Sequence, residues 1–204
     1  MKRPLLALAI LLLTLGSACG SVDSSSKAKA TTSAPSCPSA WKAGWQKLAD
    51  RIHAPVYCPA WVPSPLTAQI GGQWSSGASV GKDRSYLAGF IWFEKGDEVH
   101  VNFRGYPGRS KIPLCRNDEQ AGGKRAKTFI PCFADPHGTK QIGPYKVTLY
   151  TVNRDADQWH LLYAWHRNGS LYTASEHVAP PFGYQRVLQN LDKMMRGLVL
   201  LRPS

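Results

Sequence analysis

The sequence predicts an α+β domain, an antiparallel sheet with an N-terminal and a C-terminal helix packed on one face and two disulfides as staples. Three observations lead there. Helix-period apolar stripes stand at both ends of residues 37–204. Strand-period segments fill the interval. Four cysteines remain for pairing once Cys19 is set apart.

The first helix is expected over Ser39–His53, where Trp41, Trp45, Leu48, Ala49 and Ile52 recur at helical spacing and Pro55 stops it. "PVYCPAWVPSPL", Pro55–Leu66, holds so many prolines that it must run extended. "SYLAGFIWFEK" and "EVHVNFRGY" flank Gly96-Asp97 and read as a hairpin. In the second strand Val99, Val101 and Phe103 alternate with His100, Asn102 and Arg104, giving an apolar face and a wet one. Arg109–Gly143 is poorly patterned, with one short strand expected near Thr128–Phe133, and Tyr145–Val152 reads as another strand.

The firmest local signal is "QWHLLYAWHRNGSLYTASEHV". Asn168-Gly169 suits a two-residue hairpin turn, because both central residues take positive φ. That turn sets Arg167 opposite Ser170, Trp165 opposite Tyr172, Leu161 opposite Glu176 and His160 opposite His177. Trp159, Leu161, Tyr163 and Trp165 form the heavier apolar row, so they are assigned to the core, with Glu176 near the sheet margin. The last element is an amphipathic helix over Tyr184–Leu201, carrying Val187, Leu188, Leu191, Met194, Met195, Leu198 and Val199 on one stripe.

The chain opens with Lys2 and Arg3, an apolar run Leu5–Leu15, and the small residues Gly16-Ser17-Ala18, in the order of an export signal. The run falls short of the roughly 20 residues that span a bilayer. Leu15-Gly16-Ser17-Ala18-Cys19 resembles a bacterial lipobox, with Gly16 where a bulky aliphatic residue is usual. Residues 1–18 are therefore read as a lipoprotein signal peptide, 19–36 as a lipid-anchored flexible tether, and 37–204 as one extracytoplasmic domain. The alternative is cleavage after Ala18 and simple secretion.

The five cysteines support the anchor: lipidating Cys19 leaves Cys37, Cys58, Cys115 and Cys132 for two bridges in an oxidising compartment. Of the three possible pairings, Cys37–Cys58 and Cys115–Cys132 close the shortest loops and are favoured. A zinc site is the rival use of these thiols, but no Cys-x-x-Cys pair exists. The formal charge of +12 would suggest nucleic acid in a cytosolic protein. An exported one meets anionic lipid head groups and wall polymers instead. Local basic clusters stand at Arg104–Arg116 and Lys124–Lys127.

Gly77-Ala78-Ser79-Val80-Gly81 matches the G-x-S-x-G elbow, and Asp135, Asp155, Asp157, His160 and His177 follow it in triad order. The elbow needs a buried strand before it and a helix after it, and neither is patterned here. His160 and His177, facing on one sheet surface, are candidates for a ligand or a transition metal or for a response to mild acid, joined by His100 if its hairpin lies alongside. Trp41, Trp61 and Trp74 could line a groove. No paired carboxylates, phosphate-binding glycine loop, H-E-x-x-H or cofactor motif is present.

"PVYCPAWVPSPL", "YAWHRNGSLYTAS" and the closing "VLQNLDKMMRGLVLL" together resemble small exported bacterial lipoproteins of unknown function, most like those of actinobacteria. They are also distantly similar to α+β domains beyond the membrane in some bacterial regulators, which share a Pro-Val-Tyr-x-Pro entry and a Trp-x-x-x-Gly-x-x-Tyr hairpin before a final helix. The resemblance covers residues 48–204 discontinuously, and Cys58 is this chain's own insertion. It implies fold and address and assigns no catalytic residue. The expectation is a lipoprotein on the outer face of the cytoplasmic membrane, held there by its lipid. It would act as a non-enzymatic binding or accessory module for an envelope protein, an anionic wall polymer or a lipid. The alternatives are a small serine hydrolase using Ser79, and a structural partner that positions a neighbour.

Overall fold

The computed structural model describes residues 34–67, 73–117, 120–121, 124–125, 128–154 and 159–204. The expected signal peptide, Cys19, the expected tether up to residue 33, Lys127, Asp155, Asp157 and the side chain of Trp74 lie outside that description.

Helix α1, Ser39–Ile52, buries Trp45, Leu48, Ala49 and Ile52, and ends where His53 enters the left-handed region at φ 49°. A short strand β1, Val56–Pro59, follows. Strands β2 (Gln73–Val80), β3 (Tyr86–Glu94) and β4 (Asp97–Tyr106) form one meander. The hairpin between β3 and β4 turns at Lys95-Gly96, φ 51° and 93°, one residue earlier than the sequence suggested. Four short strands come next: β5 (Leu114–Asn117), β6 (Gln120–Ala121), β7 (Lys124–Arg125) and β8 (Thr128–Pro131). Strands β9 (Phe133–Ile142), β10 (Tyr145–Asn153), β11 (His160–Arg167) and β12 (Ser170–His177) make the second meander. The two meanders join through β4 and β12 into a seven-stranded antiparallel sheet ordered β2-β3-β4-β12-β11-β10-β9. The Asn168-Gly169 turn, φ 49° and 72°, fixes the β11–β12 register as the sequence required, from Arg167↔Ser170 to His160↔His177.

Helix α2, Tyr184–Arg196, buries Val187, Leu191, Met194 and Met195 and packs with α1 in one core. That core rests on the sheet face carrying Phe90, Val99, Val101, Phe103, Leu161, Tyr163, Trp165 and Tyr172. Trp159, placed in this row by the sequence, stays outside, 54% exposed. The expected helix to Leu201 stops at Arg196, and Leu198–Leu201 form β13, paired antiparallel with β1. The physical reason is Gly197: its N–H closes the helix on Lys193 and Met194, and the aperiodic apolar run beyond it finds β1's open backbone. Both expected disulfides form, Cys37–Cys58 and Cys115–Cys132.

The second sheet face departs most from expectation. It is polar in sequence but covered. Described parts of the crossing between the meanders lie over part of it, where Ile112, Cys115 and Cys132 pack with Tyr106, Phe133, Leu162, Ala164 and Leu171 in a second apolar cluster. On this face His100, His160, Thr173, Ser175 and His177 are all buried.

Candidate functional site

Two places on this second face carry chemistry. The first is a histidine row. In the β4–β12 register Val101 faces Glu176, so His100 stands beside His177, and His177 faces His160 across the β11–β12 pair. Three adjacent strands thus put three imidazoles in one row. Their ring centroids lie 4.3 Å (His100–His160), 5.1 Å (His100–His177) and 5.5 Å (His160–His177) apart.

Glu98 Oε1 lies 2.8 Å from His100 Nδ1. His177 Nδ1 donates to the Glu98 carbonyl at 2.9 Å. His160 Nε2 meets His100 Nε2 at 2.5 Å. In that contact one ring donates and the other accepts, and His160 Nδ1 is buried without a hydrogen-bond partner. Burial, with His100, His177 and Arg104 close by, pushes His160 down to about 3, so it is neutral in ordinary conditions. Glu98 thus touches two of the three imidazoles, His177 through its backbone carbonyl and His100 through its carboxylate. A cleft of about 530 Å³ at the β3–β4 turn reaches the outer end of the row at His177. Among the described residues no group of three or more His, Cys, Asp or Glu is disposed to hold a metal ion.

The second place is a cleft of about 900 Å³ between β3, β4 and the crossing segment. Arg104 and Leu87 project from the sheet into it, and Arg109 and Lys111 stand on its rim beside the Cys115–Cys132 bridge. The rim is pinned to the central hairpin. Gly108 N–H donates to Ser170 Oγ at 2.9 Å, Leu171 N–H to the Arg109 carbonyl at 2.7 Å, and His166 Nε2 to the Ser110 carbonyl at 2.7 Å. Asp83 accepts from the Ser85 hydroxyl at 2.6 Å and pairs with Arg109 at 3.0 Å. The Ser85 hydrogen bonds, with Arg109 beside it, hold the Asp83 carboxyl below the usual carboxylate range. The cleft is therefore preorganised, and its described lining residues carry three cations, Arg104, Arg109 and Lys111, and one anion.

Ser79 lines the same cleft, and among the described residues no base is paired with it. It sits within β2, exposed, opposite Leu87, so Gly77–Val80 is an edge strand and not a strand-to-helix elbow. Its row across the sheet runs through Leu87, Arg104, Thr173 and Ala164. His160 and His177 lie three to four strands across and four residues along, roughly 20 Å away. Asp135 pairs instead with His137 and Thr151, on the far side of the sheet. Of the three tryptophans proposed for a groove, Trp41 donates to the Pro59 carbonyl and packs edge-on against Phe90, and Trp61 lies under Lys193 Nζ at 3.7 Å.

Sequence reasoning missed Glu98 and the depth of Glu176. Glu98's role could be read only from the pairing of β4 with β12, which joins segments far apart in the chain. Glu176 is fully buried on the helix face, where Asn190 of α2 donates to Oε1 at 2.7 Å. Desolvation raises it to about 8, so it is protonated in the folded protein at neutral pH. No family model matches the chain, and neither does a curated protein or a solved structure.

Proposed function

We propose that the chain is a lipid-anchored, extracytoplasmic binding module for an anionic component of the cell envelope, with the cleft under Arg104, Arg109 and Lys111 as its binding site. The observation that carries this reading is the cleft itself: large, positive, rigid at the rim and, among its described lining residues, without a nucleophile–base pair. Two disulfides in a chain of this size fit an oxidising compartment, and the lipobox-like run ending at Cys19 supplies the anchor. Among the described residues no helix is long and apolar enough to cross a membrane. Attachment would then fall to the acyl chains on Cys19.

Fractionation and mass spectrometry of the native product test the address. The expected outcome is a membrane-bound chain whose first residue is a diacylglyceryl-modified Cys19, released into the medium by Cys19→Ala. A cytosolic protein with a bare thiol at Cys19 would sink the proposal. Fluorophosphonate labelling tests the rival hydrolase, and Ser79 is expected to stay unmodified.

A further inference from the structure

We propose that the cleft takes an anionic amphiphile of the phospholipid class, its phosphate head group at Arg104, Arg109 and Lys111 and its apolar chain against Leu114 and Phe129. The inference rests on the reading of the chain as an envelope binding module and names that module's ligand.

Charge is the first of two independent features behind it. Arg104 projects from the sheet, Arg109 and Lys111 stand on the rim, and among the described lining residues Asp83 is the single carboxylate, already engaged by Ser85 and Arg109. The excess is positive, and the hydrogen bonds that pin residues 108–110 to the central hairpin hold the Arg109 backbone in place.

The apolar lip is the second. Among the exposed large hydrophobic side chains of the described residues, Phe129 (65%) and Leu114 (62%) are the most exposed, and both line this cleft. In the β5–β8 register Leu114 faces Pro131 and Arg116 faces Phe129. Leu114 and Phe129 are therefore diagonal neighbours on one face of the ribbon. The Cys115–Cys132 bridge staples that ribbon to the start of β9. An exposed leucine or phenylalanine alone is ordinary. Two side by side, on a stapled ribbon that borders a basic cleft, match a ligand charged at one end and apolar at the other. The volume of about 900 Å³ holds a head group and the first part of an acyl chain. A wall polymer would use the cations and gain nothing from Leu114 and Phe129.

The lipid could be presented by a bilayer or as a free molecule, and the test separates the two. Residues 34–204 close as a compact unit containing both disulfides, so they can be studied without the first 33 residues and independently of any anchor. This domain is expected to bind phosphatidylglycerol vesicles at least tenfold more tightly than phosphatidylcholine vesicles. Monomeric short-chain phosphatidylglycerol, titrated by NMR, distinguishes the sources: saturable shifts at Lys111 and Phe129 assign the site to single lipid molecules, and vesicle binding alone assigns it to the bilayer surface. Lys111→Glu, and separately the double change Leu114→Ser with Phe129→Ser, are each expected to lower vesicle binding at least fivefold. These side chains are exposed, so an unchanged amide fingerprint elsewhere confirms that the fold is intact. Equal affinity for both vesicle types overturns the proposal. So does tight binding of poly(glycerol phosphate) that the double variant leaves untouched, and so does failure to bind phosphatidylglycerol in either form. If the domain binds the lipid while the native chain fractionates with the cytosol, the address falls and the ligand class stands.

Discussion

The two faces of the central sheet bury ionisable groups in opposite ways. On the helix face Glu176 stands among Val101, Leu161 and Asn190, and it stays there by giving up its charge. On the other face His100, His160 and His177 lie together with Glu98 and stay by exchanging hydrogen bonds. The difference lies in the cover. The helix face is sealed by two amphipathic helices that offer Glu176 one amide. The other face is covered in part by an irregular crossing and brings several polar side chains within reach of one another. A lone buried acid must be neutral, whereas a cluster can distribute its protons.

Glu176→Gln gives the largest expected effect. Glu176 titrates near 4.5 when unfolded and near 8 when folded, so between those values the folded state binds the extra proton and stability falls as pH rises. The loss is about 3 kcal/mol by pH 7 and about 4 kcal/mol by pH 8. Glutamine keeps the Asn190 contact and removes that slope. Denaturant unfolding of both proteins from pH 4.5 to 8 should therefore show curves that meet at the acid end and diverge steadily above it. Parallel curves would mean that Glu176 is already ionised in the fold.

The disulfides probe the two covers separately. Cys37–Cys58 and Cys115–Cys132 span 21 and 17 residues, so chain entropy alone gives each about 3 kcal/mol. Cys58 is fully buried in the helix-face core, whereas Cys115 is half-buried in the ribbon. Replacing Cys37 and Cys58 by alanine should cost the more, because both are buried while Cys115 is only half-buried, so the larger void is left. Replacing Cys115 and Cys132 should unprotect the amides of the ribbon in hydrogen exchange while those of α1 and α2 keep their protection. Global loss of protection in that variant would show that the two covers are a single cooperative unit.

How much of this could be read in advance follows the same division. The helix-face core was readable because its rows repeat with period two or 3.6. The Asn168-Gly169 turn then fixed every pair from Arg167↔Ser170 to His160↔His177, since few residues other than Asn and Gly tolerate its two positive φ angles. The cover of the second face was not readable, because residues 107–132 cross it without any period. The histidines therefore looked wet, and Glu176 looked marginal while α2 was seen only as a stripe, without Asn190 facing the sheet. Leu198–Leu201 misled for the related reason that an aperiodic apolar run continues a helix or starts a strand equally well, and only the free edge of β1 decides.

His160 sharpens the comparison from the acid side. Its value falls from 6.5 when unfolded to about 3 when folded, so between these the unfolded chain binds the extra proton and stability rises with pH. At pH 5 that slope costs about 2 kcal/mol relative to neutral pH. It opposes the Glu176 slope between about 4.5 and 6.5, so the wild-type protein should show a plateau there and weaken on both sides. His160→Asn should turn the plateau into a steady decline toward high pH, and Glu176→Gln should turn it into a rise that levels near 6.5. A plateau that survives both substitutions would place the titrating groups elsewhere.

The smallest expected effect concerns what keeps the two faces distinct. A slip of one residue in the β11–β12 pair would send Leu161, Tyr163 and Trp165 to the histidine side and His160 to the helix side. Asn168→Ala makes the left-handed turn residue dearer by about 1 kcal/mol and is expected to lower stability by that much without moving the register. The register holds because a slip would also take Trp165 out of the helix-face core and carry His160 and the exposed His166 toward it, at a cost several times what the turn supplies. The nuclear Overhauser contact between the α-protons of facing residues reports the pairing directly. If the alanine variant shows a shifted set of these contacts, the turn and not the cores chooses which face each side chain occupies.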